Sequence, residues 1–230
     1  MNRFDAIAFD LDGTLIDSVG GVAHALNAAL ADEGLPGAFG LDTVRGWIGD
    51  GPDASIARAL ATPQLAAVNT YELAARLRHG FDAATLRAPM AGSRVFDGIH
   101  AAVAELATQR PLVVITNKPT TLARAVLQEA GLLRFFEAVH GADTPQQRKP
   151  SPLLLRQAAG ALGVAPGRVL VVGDAAVDIA AALAAGSAAA WAGWGYGQAP
   201  APSAVHVWRL ATPHELLRRL AMPVGADNEY

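Results

Sequence analysis

Three short apolar runs, each followed directly by polar residues, are the feature that most constrains the fold of this chain. They occupy residues 4–9 (FDAIAF), 112–115 (LVVI) and 169–172 (VLVV), and of the three only the first contains a charged residue. Their aromatic and β-branched side chains do not alternate with polar ones, which is typical of strands covered on both faces in a parallel sheet. Weaker strand candidates follow at residues 138–140, 188–191 and 205–207.

Segments with helical character lie between these runs. Ile99, Val103 and Leu106 recur at helical spacing. Further helices are expected from Pro119 to Gly131, from an N-cap at Ser151 to Gly163, and from Ala176 to Gly186, because glycine ends each segment and proline or a capping residue begins two of them. The alternation predicts an α/β fold with a Rossmann-like parallel sheet core flanked by helices.

Residues 17–87 interrupt this alternation. They show no strand signal and are helical by composition, with breaks at residues 34–40, at residues 46–52 and at Pro63. We expect them to form an inserted all-helical cap domain, which leaves residues 1–16 and 88–230 as the α/β catalytic core. The segment contains 8 acidic residues and 5 arginines, so it carries the whole formal net charge of -3.

Composition excludes several classes of protein. With 52% hydrophobic and 17% charged residues, the chain of 230 residues can bury a large core. A net charge of -3 without a basic tract argues against nucleic-acid binding. The chain has no cysteine, which excludes disulfides, thiolate zinc sites and cysteine nucleophiles.

Membrane insertion and secretion are not expected either. Residues 179–208 carry no Asp, Glu, Lys or Arg, but they are rich in Ala and Gly and lack the dense large aliphatic side chains of a membrane span. We expect a helix that ends at Gly186 and then a short buried strand. An acid at Asp5 comes too early for a signal peptide, so the expected location is cytoplasmic.

The polar residues after the three strong runs are expected to lie close together, because ligands of open α/β sheets bind at the carboxyl ends of the strands. These residues are Asp10, Asp12, Thr116, Asn117 and Asp174, with Asp178 four residues further on. Lys149 stands just before the helix start at Ser151. Each of these residues alone would be explained by a turn, a cap or a solvated surface. Their joint occurrence in this order favours one shared cleft.

Four carboxylates in one cleft need a cation, because like charges about 4 Å apart repel by roughly 4 kcal/mol at an effective dielectric constant of 20. A ligand set made only of oxygen suits Mg²⁺, which often shares phosphate oxygens. The donors Thr116, Asn117 and Lys149 then have no evident use unless an anion binds as well, and the nearby helix N-termini favour an anion. The set predicts phosphoryl transfer onto an aspartate.

Four motifs of the chain resemble those of the haloacid dehalogenase-like hydrolase superfamily. They are residues 10–15 (DLDGTL), 116–119 (TNKP), 148–150 (RKP) and 172–179 (VGDAAVDI). Within the superfamily, residues 45–51 (RGWIGDG) and 194–196 (WGY) are similar to segments of bacterial phosphoglycolate phosphatases.

The resemblance implies roles for the acidic residues. Asp10 would be the nucleophile that forms an aspartyl-phosphate. Asp12 would protonate the leaving alcohol and then activate water. The carboxylates of Asp10 and Asp174, together with the main-chain carbonyl of Asp12, would bind Mg²⁺.

The resemblance also implies how the phosphate is held. Thr116 and Asn117 would bind phosphate oxygens, and Lys149 would neutralise the nucleophile and the phosphate. Asp178 would orient Lys149 or a metal-bound water. The helical insert would close over the substrate as a mobile cap, and its loop at residues 49–51 would reach the leaving group.

The predicted function is therefore a Mg²⁺-dependent phosphatase that hydrolyses a small organic phosphomonoester, with 2-phosphoglycolate as the first candidate. Arg45 and Asp50 beside the glycine loop are candidate substrate contacts. The expected partner is a small phosphorylated metabolite, bound by a monomer or a homodimer. Asp12 argues against dehalogenase chemistry, and the absence of any lysine before Lys118 argues against a phosphonatase that forms a Schiff base in its cap.

Three alternatives stay open. One is a phosphatase that acts on another sugar phosphate or on a nucleotide. Another is a sugar-phosphate mutase, for which the arginines of the insert could grip a second phosphate. The third is a non-catalytic binding protein on the same fold.

Two departures from the family pattern and two unassigned features remain. Ala175 stands where the family often has Ser or Thr, and residues 96–98 (FDG) replace Tyr-Pro-Gly. Residues 193–197 (GWGYG) lack the context of a dinucleotide fingerprint and are interpreted as a turn. The chain has 16 arginines and two lysines, Lys118 and Lys149. The role of Lys118 stays open, and facing the cap is one option.

Overall fold

The computed structural model describes residues 4–68, 70–201 and 207–222. In chain order its strands are β1 (Ala6–Phe9), β2 (Ile16–Asp17), β3 (Arg94–Val95), β4 (Leu112–Thr116), β5 (Ala138–Gly141), β6 (Val169–Gly173), β7 (Ala188–Ala192) and β8 (Val207–Leu210). Its helices are α1 (Val19–Asp32), α2 (Leu41–Arg45), α3 (Pro52–Leu60), α4 (Tyr71–Arg87), α5 (Ile99–Ala107), α6 (Thr120–Glu129), α7 (Leu153–Ala161), α8 (Ala176–Ala185) and α9 (Pro213–Ala221).

Six strands form one sheet in the order β5-β4-β1-β6-β7-β8, and every neighbouring pair is parallel. The first strand lies inside the sheet, where Ala8 is in register with Val113 of β4 and Val171 of β6. The prediction of an α/β parallel sheet flanked by helices is confirmed. The three strong apolar runs became the three adjacent strands β4, β1 and β6.

Alternate residues of β1 serve two different apolar layers. Ile7 and Phe9 belong to a cluster that includes residues of α5, α6 and α9. Ala6 and Ala8 belong to a second cluster, formed with residues of α7 and α8. Because both faces of the strand are covered by helices, it has no polar face, which explains why the apolar runs lack an alternating pattern.

Element boundaries differ from the predictions in three places. Helix α7 begins at Leu153 with Pro152 as its N-cap, so the predicted cap at Ser151 was one residue early. Strand β8 begins at Val207, and residues 205 and 206 of that predicted strand lie outside the described residues. Strands β2 and β3 form an antiparallel ribbon that was not predicted, since two-residue strands are too short to show a periodicity.

Helices α1 to α4 have an apolar cluster of their own. Its fully buried members include Leu26 of α1, Ile56 of α3 and Leu77 of α4, and Leu122 of α6 joins them. The breaks between these helices fall at residues 33–40, 46–51 and 61–70, close to the predicted breaks. The helical prediction for this part of the chain is therefore confirmed at the level of its elements.

The first part of the uncharged stretch, residues 179–192, folds as predicted from its composition. Helix α8 ends before Gly186, which has a left-handed backbone, and β7 follows with three of its five residues buried. No helix within the described ranges has both the length and the apolar character needed to cross a membrane.

The chain crosses itself closely where it leaves β2 and where it returns to β3. A Cβ atom at Gly20 in α1 would lie 1.9 Å from the carbonyl oxygen of Gly92. Any side chain at position 20 would therefore force the two backbone segments apart. By contrast, Gly160 in α7 has no neighbouring atom within 4 Å of such a Cβ position.

Gly20→Ala should destabilise the fold, because a backbone oxygen cannot rotate away as a flexible side chain can. We expect a loss of about 1–3 kcal/mol in the free energy of unfolding, the cost typical of overpacking. The matched control Gly160→Ala should raise stability by about 0.5–1 kcal/mol, since alanine favours an exposed helix. Urea unfolding of both variants measures the difference. Equal stability changes in the two variants would contradict the close crossing.

Candidate active site

A buried lysine lies at the carboxyl ends of the central strands. The Nζ atom of Lys149 is 2.6 Å from Oδ1 of Asp10, 2.5 Å from Oδ1 of Asp178 and 3.1 Å from the carbonyl oxygen of Ile115. The side chain of Lys149 is 3% exposed. Its three contacts come from β4, the end of β1 and the first turn of α8, so this one ammonium group holds three elements together.

The carboxylates around Lys149 are strongly perturbed. Burial raises the pKa of Asp10 to about 7, and the neighbouring Asp178 adds repulsion, although Lys149 acts in the opposite direction. Burial also raises the pKa of Asp178 above its usual range. Burial alone would lower the pKa of Lys149, but the two carboxylates raise it above its usual value. One ammonium therefore neutralises two buried acids only in part.

Asp174 follows β6 and adds a third carboxylate. Burial raises its pKa to about 6, and repulsion from Asp10 acts in the same direction. Its Oδ1 accepts a hydrogen bond from the hydroxyl of Thr14 at 3.2 Å. Its Oδ2 accepts the backbone N–H groups of Tyr196 at 2.8 Å and of Gly197 at 3.1 Å, which partly offset the rise in pKa.

These N–H donors belong to residues 193–197, which the sequence had suggested were a simple turn. The segment packs directly against Asp174, and a Cβ atom at Gly195 would lie 2.3 Å from the Asp174 Cβ. Trp194 donates from Nε1 to the carbonyl oxygen of Thr14 at 2.9 Å. The alternating glycines were the signal that could have indicated this close approach.

Tyr196 ties the same segment to the start of the helical part of the chain. Its hydroxyl donates to Oδ1 of Asp17 at 2.8 Å and accepts the backbone N–H of Ser18 at 2.6 Å. Burial and the neighbouring Asp17 raise the pKa of Tyr196 above its usual value. The phenol therefore stays protonated at neutral pH and remains a donor to Asp17.

Oxygen atoms from Asp10, Asp174 and Asp178 all lie within 4.8 Å of one another. Three buried carboxylates face one ammonium, so the cluster carries excess negative charge where water cannot solvate it. A donor set made only of oxygen matches a hard cation. The residues present therefore fit a divalent metal ion. Both oxygens of Asp178 are engaged, Oδ1 by the ammonium of Lys149 and Oδ2 by the N–H of Ala175, whereas Asp174 is held by the hydroxyl of Thr14 and by backbone N–H groups.

Asp12 lies apart from this cluster and pairs with the lysine whose role had been left open. Nζ of Lys118 is 3.1 Å from Oδ1 and 2.9 Å from Oδ2 of Asp12. Both side chains are nearly buried, at 8% and 12% exposed. The second lysine of the chain is therefore a member of the site, and its contact is a carboxylate of the α/β part of the chain.

Thr116 is the last residue of β4, and Asn117 follows it at the same edge of the sheet. The hydroxyl of Thr116 accepts the backbone N–H of Lys118 at 3.2 Å. The side chain of Asn117 donates to the carbonyl oxygen of Gly49 at 2.8 Å and accepts the backbone N–H of Lys149 at 2.8 Å. Asn117 therefore connects the loop that carries Lys149 with the glycine loop of the helical segment.

A cavity of about 370 Å³ opens beside these groups. Strand-end residues form one wall, and the loop between α2 and α3 forms the other. The strand-end residues are Asp10, Asp12, Thr116, Asn117 and Lys118, and the loop supplies Ile48, Gly49 and Gly51. The glycine loop therefore faces the strand ends across the cavity, and its expected contact with a leaving group stays a prediction.

The two remaining candidates, Arg45 and Asp50, make other contacts. The guanidinium of Arg45 lies over the ring of Tyr196, 5.4 Å from its centroid. Asp50 forms an ion pair with Arg58. Neither Arg45 nor Asp50 is among the residues that line the cavity. The sequence had placed both near the loop, but it could not show which way the side chains point.

An ion pair outside the cavity also joins the two parts of the chain. Arg148, next to Lys149, pairs with Asp53 of α3, and Asp53 also accepts a hydrogen bond from Arg78 of α4 at 2.6 Å. Although burial acts to raise it, these two arginines hold the pKa of Asp53 below its usual value. This triad was not predicted, because its members are far apart in the sequence.

Comparison with known proteins identifies close relatives. The phosphoglycolate phosphatase of Yersinia pseudotuberculosis serotype I is 37% identical over 234 residues, which cover 100% of both chains. That of Rhodospirillum rubrum is 39% identical over 204 residues, 86% of this chain and 83% of the relative.

Solved structures agree with this likeness. A protein from Haemophilus somnus, described as a predicted phosphoglycolate phosphatase, superposes with a TM-score of 0.85 at 30% identity over 95% of this chain and 99% of its own. A second structure, from Lactobacillus delbrueckii, shares the fold with a TM-score of 0.81 at 22% identity, over 96% of this chain and 99% of its own. Residues 4–186 match the sequence model of the haloacid dehalogenase-like hydrolases. The chain therefore belongs to the haloacid dehalogenase-like hydrolase family.

Proposed function

We propose that the chain is a Mg²⁺-dependent phosphatase that hydrolyses a small organic phosphomonoester, 2-phosphoglycolate first, through an aspartyl-phosphate. The observation that carries this proposal is the buried cluster of Asp10, Asp174 and Asp178 around Lys149 beside a cavity. The choice of substrate is supported by the relatives named phosphoglycolate phosphatase at 37–39% identity. Small phosphorylated metabolites place the proposed activity in the cytoplasm.

We assign residues 17–87 as the cap and residues 1–16 and 88–230 as the catalytic core. The separate apolar cluster of α1, α3 and α4 supports this division. Gly20 and Gly92 lie where the two connections cross, and Gly49 and Asp53 supply contacts from the cap to the core. Closure of the cap would exclude water from the phosphate.

Asp10 is assigned as the nucleophile. Lys149 holds its Oδ1 at 2.6 Å, which orients the carboxylate and leaves Oδ2 to attack. Attack of Oδ2 on phosphorus forms a new P–O bond while the bond to the ester oxygen breaks, and the leaving alcohol takes a proton from Asp12. Asp12 then removes a proton from water, which attacks phosphorus and releases inorganic phosphate and the free Asp10 carboxylate.

The carboxylates of Asp10 and Asp174 and the main-chain carbonyl of Asp12 would hold Mg²⁺. When bound, the ion would supply positive charge that offsets the negative charge of nucleophile and phosphate. Asp178 has both oxygens engaged by Lys149 and Ala175, which supports a role in orienting Lys149. The N–H groups of Tyr196 and Gly197 would fix the orientation of Asp174.

Thr116 and Lys149 are assigned to the phosphate oxygens, since both lie at the strand ends beside Asp10. Asn117 lines the same cavity, but its side-chain amide forms hydrogen bonds with the backbone of Gly49 and of Lys149. These bonds support a positioning role for that side chain. By these bonds, Asn117 would couple the closure of the glycine loop to the position of the ammonium group.

Four of the five arginines that a mutase could use in the cap, all except Arg87, are engaged by other side chains, which favours a phosphatase over a mutase. A mutase needs cations in the cap that can grip a second phosphate. Three of the arginines in that segment are engaged by carboxylates: Arg58 by Asp50, Arg76 by Glu33, and Arg78 by Asp53 and Asp82. Arg45 lies over the Tyr196 ring.

Asp10→Asn should abolish turnover, because the amide keeps the shape of the side chain and loses its nucleophilic oxygen. We expect kcat for 2-phosphoglycolate to fall by about 10⁴-fold or more, with an unchanged circular dichroism spectrum. The matched control is Asp97→Asn, at a fully exposed carboxylate, which should turn over normally. Near-normal turnover by the Asp10→Asn variant would remove Asp10 as the nucleophile.

Removal of metal should stop the reaction. Dialysis against EDTA is expected to abolish hydrolysis of p-nitrophenyl phosphate, and Mg²⁺ should restore it. Mg²⁺ should also raise the melting temperature of the metal-free protein, because it binds the folded state alone. Asp174→Asn should lose that rise, whereas Asp97→Asn should keep it. Turnover that survives complete metal removal would refute the proposed dependence.

Asp12→Ala should slow the hydrolysis of substrates with poor leaving groups most, because these leaving groups need a proton as the ester bond breaks. We expect kcat/KM for 2-phosphoglycolate to fall by about 10²–10⁴-fold. The loss should be smaller for p-nitrophenyl phosphate, whose phenolate leaves without protonation. A loss under tenfold for 2-phosphoglycolate, or equal losses for both substrates, would contradict the assignment of Asp12.

A further inference from the structure

A second cavity, of about 310 Å³, adjoins the one beside Asp10. The two cavities share Asp12, Val22, Phe81 and Lys118 as lining residues. Asp10, Thr116 and Asn117 line the first cavity alone, and Ser18, Gly21 and Thr85 line the second alone. Asp12 therefore stands at the junction, where the proposed function puts the ester oxygen. From that position the second cavity is open to the leaving group.

Lys118 supplies the positive charge of this second cavity. Its side chain is 8% exposed, and its Nζ contacts both oxygens of Asp12 at 2.9 and 3.1 Å. An ammonium group has three N–H donors, so two contacts to Asp12 leave capacity for another acceptor. Asp12 and Lys118 are the charged residues among the described residues that line this cavity.

Ser18 supplies an unused polar group in the same cavity. The residue is 4% exposed, and its hydroxyl oxygen has no hydrogen-bond partner among the described residues. Ser18 is the N-cap of α1, yet its side chain forms no capping bond. A buried hydroxyl without a partner costs free energy unless something else satisfies it. Lys118, Ser18, Val22 and Phe81 therefore line one cavity, and Ser18 brings to it a buried hydroxyl that has no partner among the described residues.

We propose that Lys118 and Ser18 form a subsite for a carboxylate on the leaving group, so that the enzyme selects phosphate monoesters of short 2-hydroxy acids. In such a substrate two covalent bonds separate the ester oxygen from the carboxylate carbon. A carboxylate at that separation comes within reach of Lys118 when the ester oxygen is beside Asp12. This inference rests on the proposed phosphatase function and assigns the residues that recognise the carboxylate of the substrate.

The test compares 2-phosphoglycolate with 2-hydroxyethyl phosphate, in which a neutral CH₂OH group replaces the carboxylate. The two substrates share the phosphate, the chain length and an alcohol leaving group. The wild-type protein should prefer 2-phosphoglycolate in kcat/KM by about 10- to 100-fold, the range typical of one charge-assisted contact.

Lys118→Met keeps the length of the side chain and removes its charge. In this variant the preference should fall to within about threefold of unity, mainly through a higher KM for 2-phosphoglycolate. The ratio of the two substrates is the informative quantity, because any indirect effect through Asp12 lowers both. Ser18→Ala removes a hydroxyl that has no hydrogen-bond partner in the described part of the chain, and it should lower the preference by about 3- to 10-fold.

Thr85→Val is the matched control. Thr85 lines the same cavity, but its hydroxyl donates to the carbonyl oxygen of Phe81 at 2.9 Å, so this nearly isosteric change should leave the preference unaltered. Wild-type protein that hydrolyses both substrates equally would overturn the carboxylate subsite and leave the phosphatase function standing. A preference that survives in both Lys118→Met and Ser18→Ala would also overturn the subsite. Hydrolysis of neither substrate by wild type would overturn both proposals.

Discussion

The ammonium group of Lys149 is the interaction on which the rest of the site depends. Asp10 and Asp178 are buried, and their charges would be costly at the carboxyl ends of the strands without a cation in direct contact. Lys149 reaches both, together with the carbonyl oxygen of Ile115. These groups come from the end of β1, from α8 and from β4. The site can therefore form only where the order of the central strands brings these three elements together.

Lys149 neutralises the cluster only in part, since one ammonium cannot balance the charges of three carboxylates. Within the described residues no lysine contacts Asp174, which is held by the hydroxyl of Thr14 and by two backbone N–H groups. Dipoles orient a carboxylate without neutralising it. The remaining negative charge explains why the cluster suits a divalent cation, and why burial leaves the pKa values of Asp10 and Asp174 at about 7 and about 6.

The helical segment is attached to the same group of residues. Asn117 hydrogen-bonds to the backbone of Lys149 and to Gly49, and Arg148 pairs with Asp53 of α3. Asn117, which binds the backbone of Lys149, and Arg148, which precedes Lys149 in the sequence, therefore both contact the helical segment beside the cavity. Tyr196 provides a further connection. Its segment, residues 193–197, packs against Asp174, and the Tyr196 hydroxyl is hydrogen-bonded to Asp17 and Ser18. These contacts link the helical segment directly to the residues that arrange the charges of the site.

The sequence by itself determined the class of fold and the set of polar residues at the sheet edge. Apolar runs without alternation indicate strands with two covered faces, and the chain order of strand ends predicts which side chains meet. The sequence signal was weak for strand β7 and undetectable for the ribbon of β2 and β3, because alanine and two-residue strands show little hydrophobic periodicity. These features depend on neighbours rather than on local pattern.

Only the tertiary structure decided the partners of each charge. Lys118 and Arg45 are both cations near a motif, yet one contacts Asp12 in the cavity and the other lies over Tyr196. The clasp of residues 193–197 around Asp174 and the unpaired hydroxyl of Ser18 were equally hidden. Side-chain direction and burial arise from contacts between residues up to about 180 positions apart, which a local pattern does not encode.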